Sequence, residues 1–466
     1  MRYISTRGNM EPLSFSQAVM MGLATDGGLL LPETIPSIDD KTLISWSNLN
    51  FSKLAVEIMS LYVGDDIKRV ELDDLAQRSY LAFSHPLVTP LVRVGEQAII
   101  ELFHGPTAAF KDIALQWLGN LFELLLQRSD KQLNILGATS GDTGSAAIYG
   151  VRGKKRIRIF ILHPLGRVSL IQERQMTTVL DPNVHNIAIR GTFDDGQRIV
   201  KEVFTDLEFK QHYNLAAINS INWARVLAQI VYYFYAWGRY TAGNISKSVN
   251  FAVPTGNFGD IFAGYMAKRM GLPINKLIIA TNRNDILTRF IATGVYKVGE
   301  AQPTLSPSMD IQLASNFERY LYYLTGANPS QVKAHMNSLS STGQLQVTAE
   351  QLAVANSDFA AVAVSDVETL AQMRFTYDKY RYILDPHTAI GVKAAQDVTD
   401  VICIATAHPA KFMESVQRAI GKKPPVPSSL QGILDREMRC TISEANSLAV
   451  KQYICDVVDG SSNLLT

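Results

Sequence analysis

The chain has 466 residues, of which 47% are hydrophobic and 19% charged, an ordinary globular balance that excludes a disordered chain. Its 44 basic and 43 acidic side chains leave a net charge of +1, which removes electrostatic support for nucleic-acid or membrane-surface binding. Three cysteines, Cys403, Cys440 and Cys455, are too few for a disulfide framework or a Cys-rich zinc site. The opening MRYISTRGNMEPLSF has no basic region followed by an apolar one, so no secretory signal is expected. The most apolar run, 230–237, falls far short of the roughly 20 residues a membrane span needs. A soluble, cytoplasmic, multi-domain enzyme is the expectation, with no membrane partner and no nucleic acid.

In chain order, the first 90 residues read as mostly helical and end in the Pro-bounded stretch SHPLVTP at 84–90. An apolar helix follows at 113–126. A buried strand is expected at 131–138 (KQLNILGA), then a Gly/Ser/Thr loop and a helix from about Thr143. Residues 156–163 and 184–190 are β-branched runs, 196–208 has helical spacing, and 214–218 is a short apolar run. The aromatic stretch 231–237 (VYYFYAW) reads as a helix in the core or at a subunit interface. Strand, glycine loop and helix recur at 249–253, and again from 401–405. Residues 300–380 read as a helical, polar insertion. The tail beyond about 420 opens on a Pro-rich linker and closes on a weak strand at 451–457. Alternating strands and helices predict an α/β fold with two mostly parallel sheets, helices on both faces.

Two loops are built to meet anions. Thr139, Ser140, Gly141, Asp142, Thr143 and Gly144 follow one strand; Thr255, Gly256, Asn257, Phe258, Gly259 and Asp260 follow another. Small residues let the backbone approach an anion, and the free N–H groups of the next helix bind it. Neither loop has P-loop or dinucleotide spacing, and each alone reads more readily as a plain βα turn. Two together suit a ligand with two anionic groups, a phosphate and a carboxylate.

Lys111 sits at the start of the 113–126 helix, where the macrodipole disfavours a cation and so favours the neutral amine that a nucleophilic lysine needs; the alternative is a solvated surface lysine. Asn219, Ser220, Asn222 and Arg225 offer two amides, a hydroxyl and a guanidinium within seven residues, which suits a phosphate. Helix capping beside an unrelated arginine is the alternative. Asp385, His387 and Thr388, and then Thr406 and His408, lie near turns and serve either a cofactor ring or helix caps. His387 and His408 lack the spacing of helical zinc ligands, so no metal is expected.

In this order, HGPTAAFKD, ATSGDTGSAA, VPTGNFGD and ATAHPAKF resemble the pyridoxal 5'-phosphate (PLP) enzymes of the tryptophan-synthase-β type, fold type II. MRYISTRG, LATDGGLLLPE, ATNRNDIL, SPSMDIQLASNFERYL and DPHTAIG are further similar to the threonine synthases within that group, and the resemblance covers about residues 1–420. It implies a two-domain fold with the cofactor between the domains. The smaller domain would hold 106–215, with Lys111 and the SGDTG loop. The larger would hold 1–105 and 216–466, with the insertion at about 300–380 and an extension after about 420.

By the same resemblance Lys111 would bond to PLP and be the catalytic base. Gly256, Asn257, Phe258 and Gly259 would cradle the cofactor phosphate, Asp142 would lie near the ring hydroxyl, and Thr406 would meet the ring nitrogen. Thr139, Ser140, Gly141 and Thr143 would hold the substrate carboxylate; Asn219, Ser220 and Arg225 would hold its phosphate. Asp385, His387 and Thr388 would stand behind the site. The implied reaction converts O-phospho-L-homoserine and water to L-threonine and phosphate, in a monomer or homodimer. The alternative is a PLP-dependent phospho-lyase that gives a 2-oxo acid and ammonia. A PLP-binding regulator without catalysis is disfavoured by the intact Lys111, SGDTG loop and Arg225.

Overall fold

A computed structural model describes residues 1–139 and 141–462. The chain divides into two units, one made of Met1–Ala114 and Ser220–Val426, the other of Leu115–Asn219 and the residues from Pro427 on. In the first unit six strands form one sheet in the order Phe359–Ala363, Ile274–Thr281, Val249–Pro254, Val401–Ala405, Gln97–Glu101, Leu91–Val94. All pairs are parallel except the last, a tight antiparallel hairpin. Val249–Pro254 and Val401–Ala405 are buried along their whole length, which is why they read as unbroken apolar runs. Because Val249–Pro254, Val401–Ala405 and Gln97–Glu101 are parallel neighbours, the loops leaving their carboxyl ends are neighbours too. That edge is where α/β sheets bind ligands.

The aromatic stretch lies in the helix Trp223–Thr241, which is core: Phe234 meets Trp46 edge-on at 5.9 Å and Tyr233 meets Phe251 at 4.8 Å. In the second unit five strands pair in parallel, in the order Thr441–Glu444, Val184–Arg190, Ile157–Pro164, Leu133–Ala138, Leu215–Ala216. Among the described residues no helix is long and apolar enough to cross a membrane.

Four sequence readings need correction. Residues 451–457 are not a strand but part of the helix Ser447–Ser462. Val450 and Ile454, one turn apart, are its buried stripe, and they pack with Ile187, Ile189, Ile199 and Val203. That packing, with the parallel pairing of Thr441–Glu444 on Val184–Arg190, places the tail in the second unit rather than in the larger domain. The 300–380 stretch is not wholly helical: Phe359–Ala363 is an edge strand of the large sheet, and Gln344–Gln346 pairs with Val295–Lys297. The units change over after Ala114, inside the helix Lys111–Ser129, so Lys111 belongs to the first unit.

Candidate active site

Lys111 is the first residue of its helix. The approach to it is held from both sides. Asp112 folds back on Thr107, accepting from its N–H at 2.8 Å and its hydroxyl at 2.7 Å. Gly105 is required there, since a Cβ would stand 2.5 Å from an Asp112 carboxylate oxygen. Burial pushes the Asp112 carboxyl up to about 6, against the Thr107 bonds that favour its charge. The same segment lies along the turn after Val401–Ala405. Ala109 bridges to Ala407, the Phe110 N–H donates to the Thr406 carbonyl at 2.8 Å, and the Lys411 ammonium donates to the Thr107 carbonyl at 2.8 Å. Thr406, buried, is thus fixed by backbone bonding to Phe110, the residue directly before Lys111.

The loop after Val249–Pro254 ends at Phe258, which caps the helix Gly259–Arg269 in the left-handed region, φ +64°. That conformation is uncommon for a phenylalanine. It is held because the ring is anchored in the core, 5.6 Å from Phe317 and 5.7 Å from Phe359. The first-turn N–H groups of the helix have no intrahelical acceptor and face outward from it. Gly256 passes against a wall: a Cβ there would lie 2.8 Å from the Ser308 carbonyl oxygen. The cradle admits backbone only.

Arg225 occupies the first turn of Trp223–Thr241, whose cap, Asn222, accepts from the Ala224 N–H at 3.0 Å. Arg225 is 4% exposed, and its Nε and Nη1 are buried and make no hydrogen bond to any described residue. Burial lowers it to about 10, so it stays charged at neutral pH. An unpaired buried cation at the positive end of a helix is doubly unfavourable without an anion. Ser220 is near: its hydroxyl pairs with that of Ser315 at 2.9 Å.

The second unit carries the other loop. The Thr139 hydroxyl oxygen accepts from the Gly141 and Gly144 N–H groups at 3.0 and 2.9 Å, so it shapes the loop and keeps only its hydrogen to offer outward. Asp142, almost buried, opens the helix Asp142–Val151 and accepts from Gln172 Nε2 at 2.8 Å. Thr143 follows it and is half-buried; Asn219 ends that unit's first segment. Ser140 lies outside the described residues.

Asp385 caps the helix Pro386–Ala394, accepting from the N–H groups of His387 and Thr388 and from the Thr388 hydroxyl. It also bonds His387 Nδ1 at 3.0 Å, and His387 Nε2 accepts from the Ser308 N–H at 3.2 Å. His387 therefore supports the wall against which Gly256 passes. Sequence reasoning gave no role to Asp260, which takes the Tyr232 and Tyr233 hydroxyls at 2.5 and 2.8 Å, nor to Asn316 and Arg319, both fully buried. All three lie in segments that carry the resemblance, VPTGNFGD and SPSMDIQLASNFERYL, which marked the segments without giving these residues a role.

A family model described as "Pyridoxal-phosphate dependent enzyme" matches residues 87–402; "Threonine synthase N terminus" matches 2–80 and "Threonine synthase, C-terminal" matches 388–454. The chain is 45% identical to a threonine synthase of Schizosaccharomyces pombe over 98% of both chains. It is 46% identical to one of Pseudomonas aeruginosa over 97% of this chain and 98% of that one. A crystal structure of PLP-bound threonine synthase from Brucella melitensis superposes with a TM-score of 0.95 at 42% identity, covering 98% of this chain and 99% of the other.

Proposed function

The chain belongs to the threonine synthase family, a branch of the PLP-dependent enzymes, and from that premise we propose how its residues divide the work. The family's reaction turns O-phospho-L-homoserine and water into L-threonine and phosphate. Protons leave Cα and Cβ, phosphate leaves Cγ, and water adds at Cβ.

The residues fit the cofactor. The 256–259 loop is a cradle closed to side chains and open to a phosphate, and Lys111 and Thr406 are fixed beside one another at the same sheet edge. When bound, PLP supplies a ring that withdraws electrons from the substrate's carbons. Gly256, Asn257, Phe258 and Gly259 would hold its phosphate through backbone N–H groups, Thr406 would offer a neutral hydroxyl to the ring nitrogen, and Asp142 would serve the ring hydroxyl. Lys111 would be the residue that holds the cofactor covalently, and its amine would serve as the base that takes the substrate's Cα proton and returns protons later. Thr139, Ser140, Gly141 and Thr143 hold the substrate carboxylate.

Asn219, Ser220 and Arg225 hold the substrate phosphate and steady its charge as it leaves Cγ. One observation carries this assignment: Arg225, buried, charged and without a partner among the described residues for Nε and Nη1. A planar fork of donors matches a phosphate. We place the chain in fold type II and read it as a cytoplasmic monomer or homodimer, a setting in keeping with three free cysteines.

The test incubates PLP-loaded protein with O-phosphohomoserine and follows phosphate, threonine and 2-oxobutyrate together, with Lys111→Ala alongside. Threonine in step with phosphate, abolished in Lys111→Ala, supports the reading. Phosphate with 2-oxobutyrate and no threonine would make the protein a phospho-lyase.

A further inference from the structure

Between the 256–259 loop and the segment that runs from Ser220 to Arg225 stands Asn316, 0% exposed. Its Nδ2 donates to the Asn257 carbonyl at 3.0 Å and to the Ser220 carbonyl at 3.2 Å. Its own N–H donates to the Asn257 carbonyl as well, at 3.0 Å. Its Oδ1 accepts from Arg319 Nη1 at 2.5 Å, which fixes the orientation of the amide, since only the NH2 end can face two carbonyls. Arg319 in turn donates to the Ile221 carbonyl at 2.6 Å and to the Leu30 carbonyl at 2.9 Å. Beside this hub runs a second link. Ser315 Oγ donates to Asn257 Oδ1 at 3.2 Å, so its one hydrogen is spent and it accepts from the Ser220 hydroxyl at 2.9 Å.

A trans peptide points its C=O and N–H in opposite directions. Pinning the Asn257 carbonyl therefore aims the Phe258 N–H away from Asn316, and pinning the Ser220 carbonyl does the same for the Ile221 N–H. The first of these peptides belongs to the proposed cofactor-phosphate cradle; the second belongs to the proposed substrate-phosphate loop. One buried residue holds both peptides, through its side-chain NH2 at each and, at Asn257, through its main-chain N–H as well.

We propose that Asn316 is a positioning residue that couples the two phosphate sites, so that loss of its NH2 group weakens cofactor-phosphate and substrate-phosphate binding together. The proposal rests on the assignment of the 256–259 and 219–225 loops made above.

The test uses Asn316→Asp, which keeps an oxygen for Arg319 but removes both donors, and Ser315→Ala, a milder cut of the parallel link that carries the test should the first variant fail to fold. Each apoenzyme is titrated with PLP and, separately, with pyridoxal, which lacks the phosphate. Each PLP-saturated enzyme is assayed for KM and kcat with O-phosphohomoserine. Arg225→Leu is the control for the loop assignment. In Asn316→Asp the Kd for PLP rises about tenfold while that for pyridoxal changes less than about twofold, and KM rises about tenfold with a smaller effect on kcat. Ser315→Ala shows the same pattern in smaller degree. Equal weakening of PLP and pyridoxal would show general damage to the fold and overturn the proposal. Movement of only one of the two phosphate affinities would overturn the coupling. Should Arg225→Leu leave KM unchanged, the loop assignment itself fails and this inference falls with it; should Arg225→Leu raise KM while Asn316→Asp does not, only this inference falls.

Discussion

The Lys411 ammonium donates to the carbonyl of Thr107 at 2.8 Å, across 304 positions of sequence, and so ties the turn that carries Thr406 to the turn that delivers Lys111. Lys411 is 2% exposed. In Lys411→Met the carbonyl loses a charged donor in a dry setting, which costs about 2 kcal/mol of stability. Because the loosened segment leads to Lys111 and not to the glycine loop, PLP and pyridoxal should weaken by the same factor. Urea unfolding with the two titrations checks this. A loss confined to PLP would mean that the bond serves the phosphate cradle instead.

Gly256→Ala tests the cradle wall. The new methyl would stand 2.8 Å from the Ser308 carbonyl oxygen and 3.2 Å from Ile311. The wall cannot easily retreat, because the Ser308 N–H is held by His387, and His387 by Asp385. Overpacking of this kind costs about 1–3 kcal/mol. Here it should appear mainly as weaker PLP binding, about tenfold or more, with pyridoxal less affected. Unchanged PLP affinity would place the cofactor phosphate elsewhere.

Arg225→Leu should trade function for stability. The wild-type chain buries a guanidinium whose Nε and Nη1 are unpaired, at the unfavourable end of a helix. Removing it relieves about 1–3 kcal/mol of uncompensated desolvation, so the apoenzyme should unfold at higher urea. The same change should raise KM for O-phosphohomoserine by about a hundredfold, the weight of a lost charged pair. Saturating inorganic phosphate should stabilise the wild type against urea and not the variant. A variant no more stable than the wild type would mean that the guanidinium has partners in solution after all.

Much of this was legible from residues alone. Leu133–Ala138, Ile157–Pro164, Val184–Arg190, Val249–Pro254 and Val401–Ala405 were legible as apolar, often β-branched runs, whereas Gln97–Glu101 and Ile274–Thr281 were not read as strands. The aromatic helix read as core or subunit interface because five aromatics within 231–237 need packing partners, and its contacts with Trp46 and Phe251 make it core. What local pattern does not carry is tertiary placement. Phe359–Ala363 is one phenylalanine, three alanines and one valine, too little pattern for a strand, and its pairing on Ile274–Thr281 makes it one. The 451–457 run is apolar enough for either period, and the buried pair Val450 and Ile454 decides for helix. Asn316 and Arg319 had no sequence signal of their role, since their partners at 30, 220, 221 and 257 are remote in the chain.

His185 gives a pH prediction of definite sign. Its ring stacks on Phe160 at 4.8 Å and 16°, with the Tyr453 hydroxyl 3.4 Å from Nδ1. Burial, reinforced by the nearby Arg439 and Arg158, holds the imidazole down at about 4. The folded protein thus refuses a proton that the unfolded chain accepts from about pH 6.5 downward, and stability drains away as pH falls from there toward 4. His408 is depressed to about 4 by burial as well, so it adds to the same loss, while the raised carboxyls of Asp112 and Asp260 act in the opposite sense. Those contributions are common to wild type and variant and cancel in a difference. His185→Phe keeps the stack and removes the titration. Its urea midpoint relative to wild type should be flat above about pH 6.5 and should rise steadily on acidification to about pH 4.5. Parallel profiles over that range would show that the His185 imidazole titrates in the fold as it does in water.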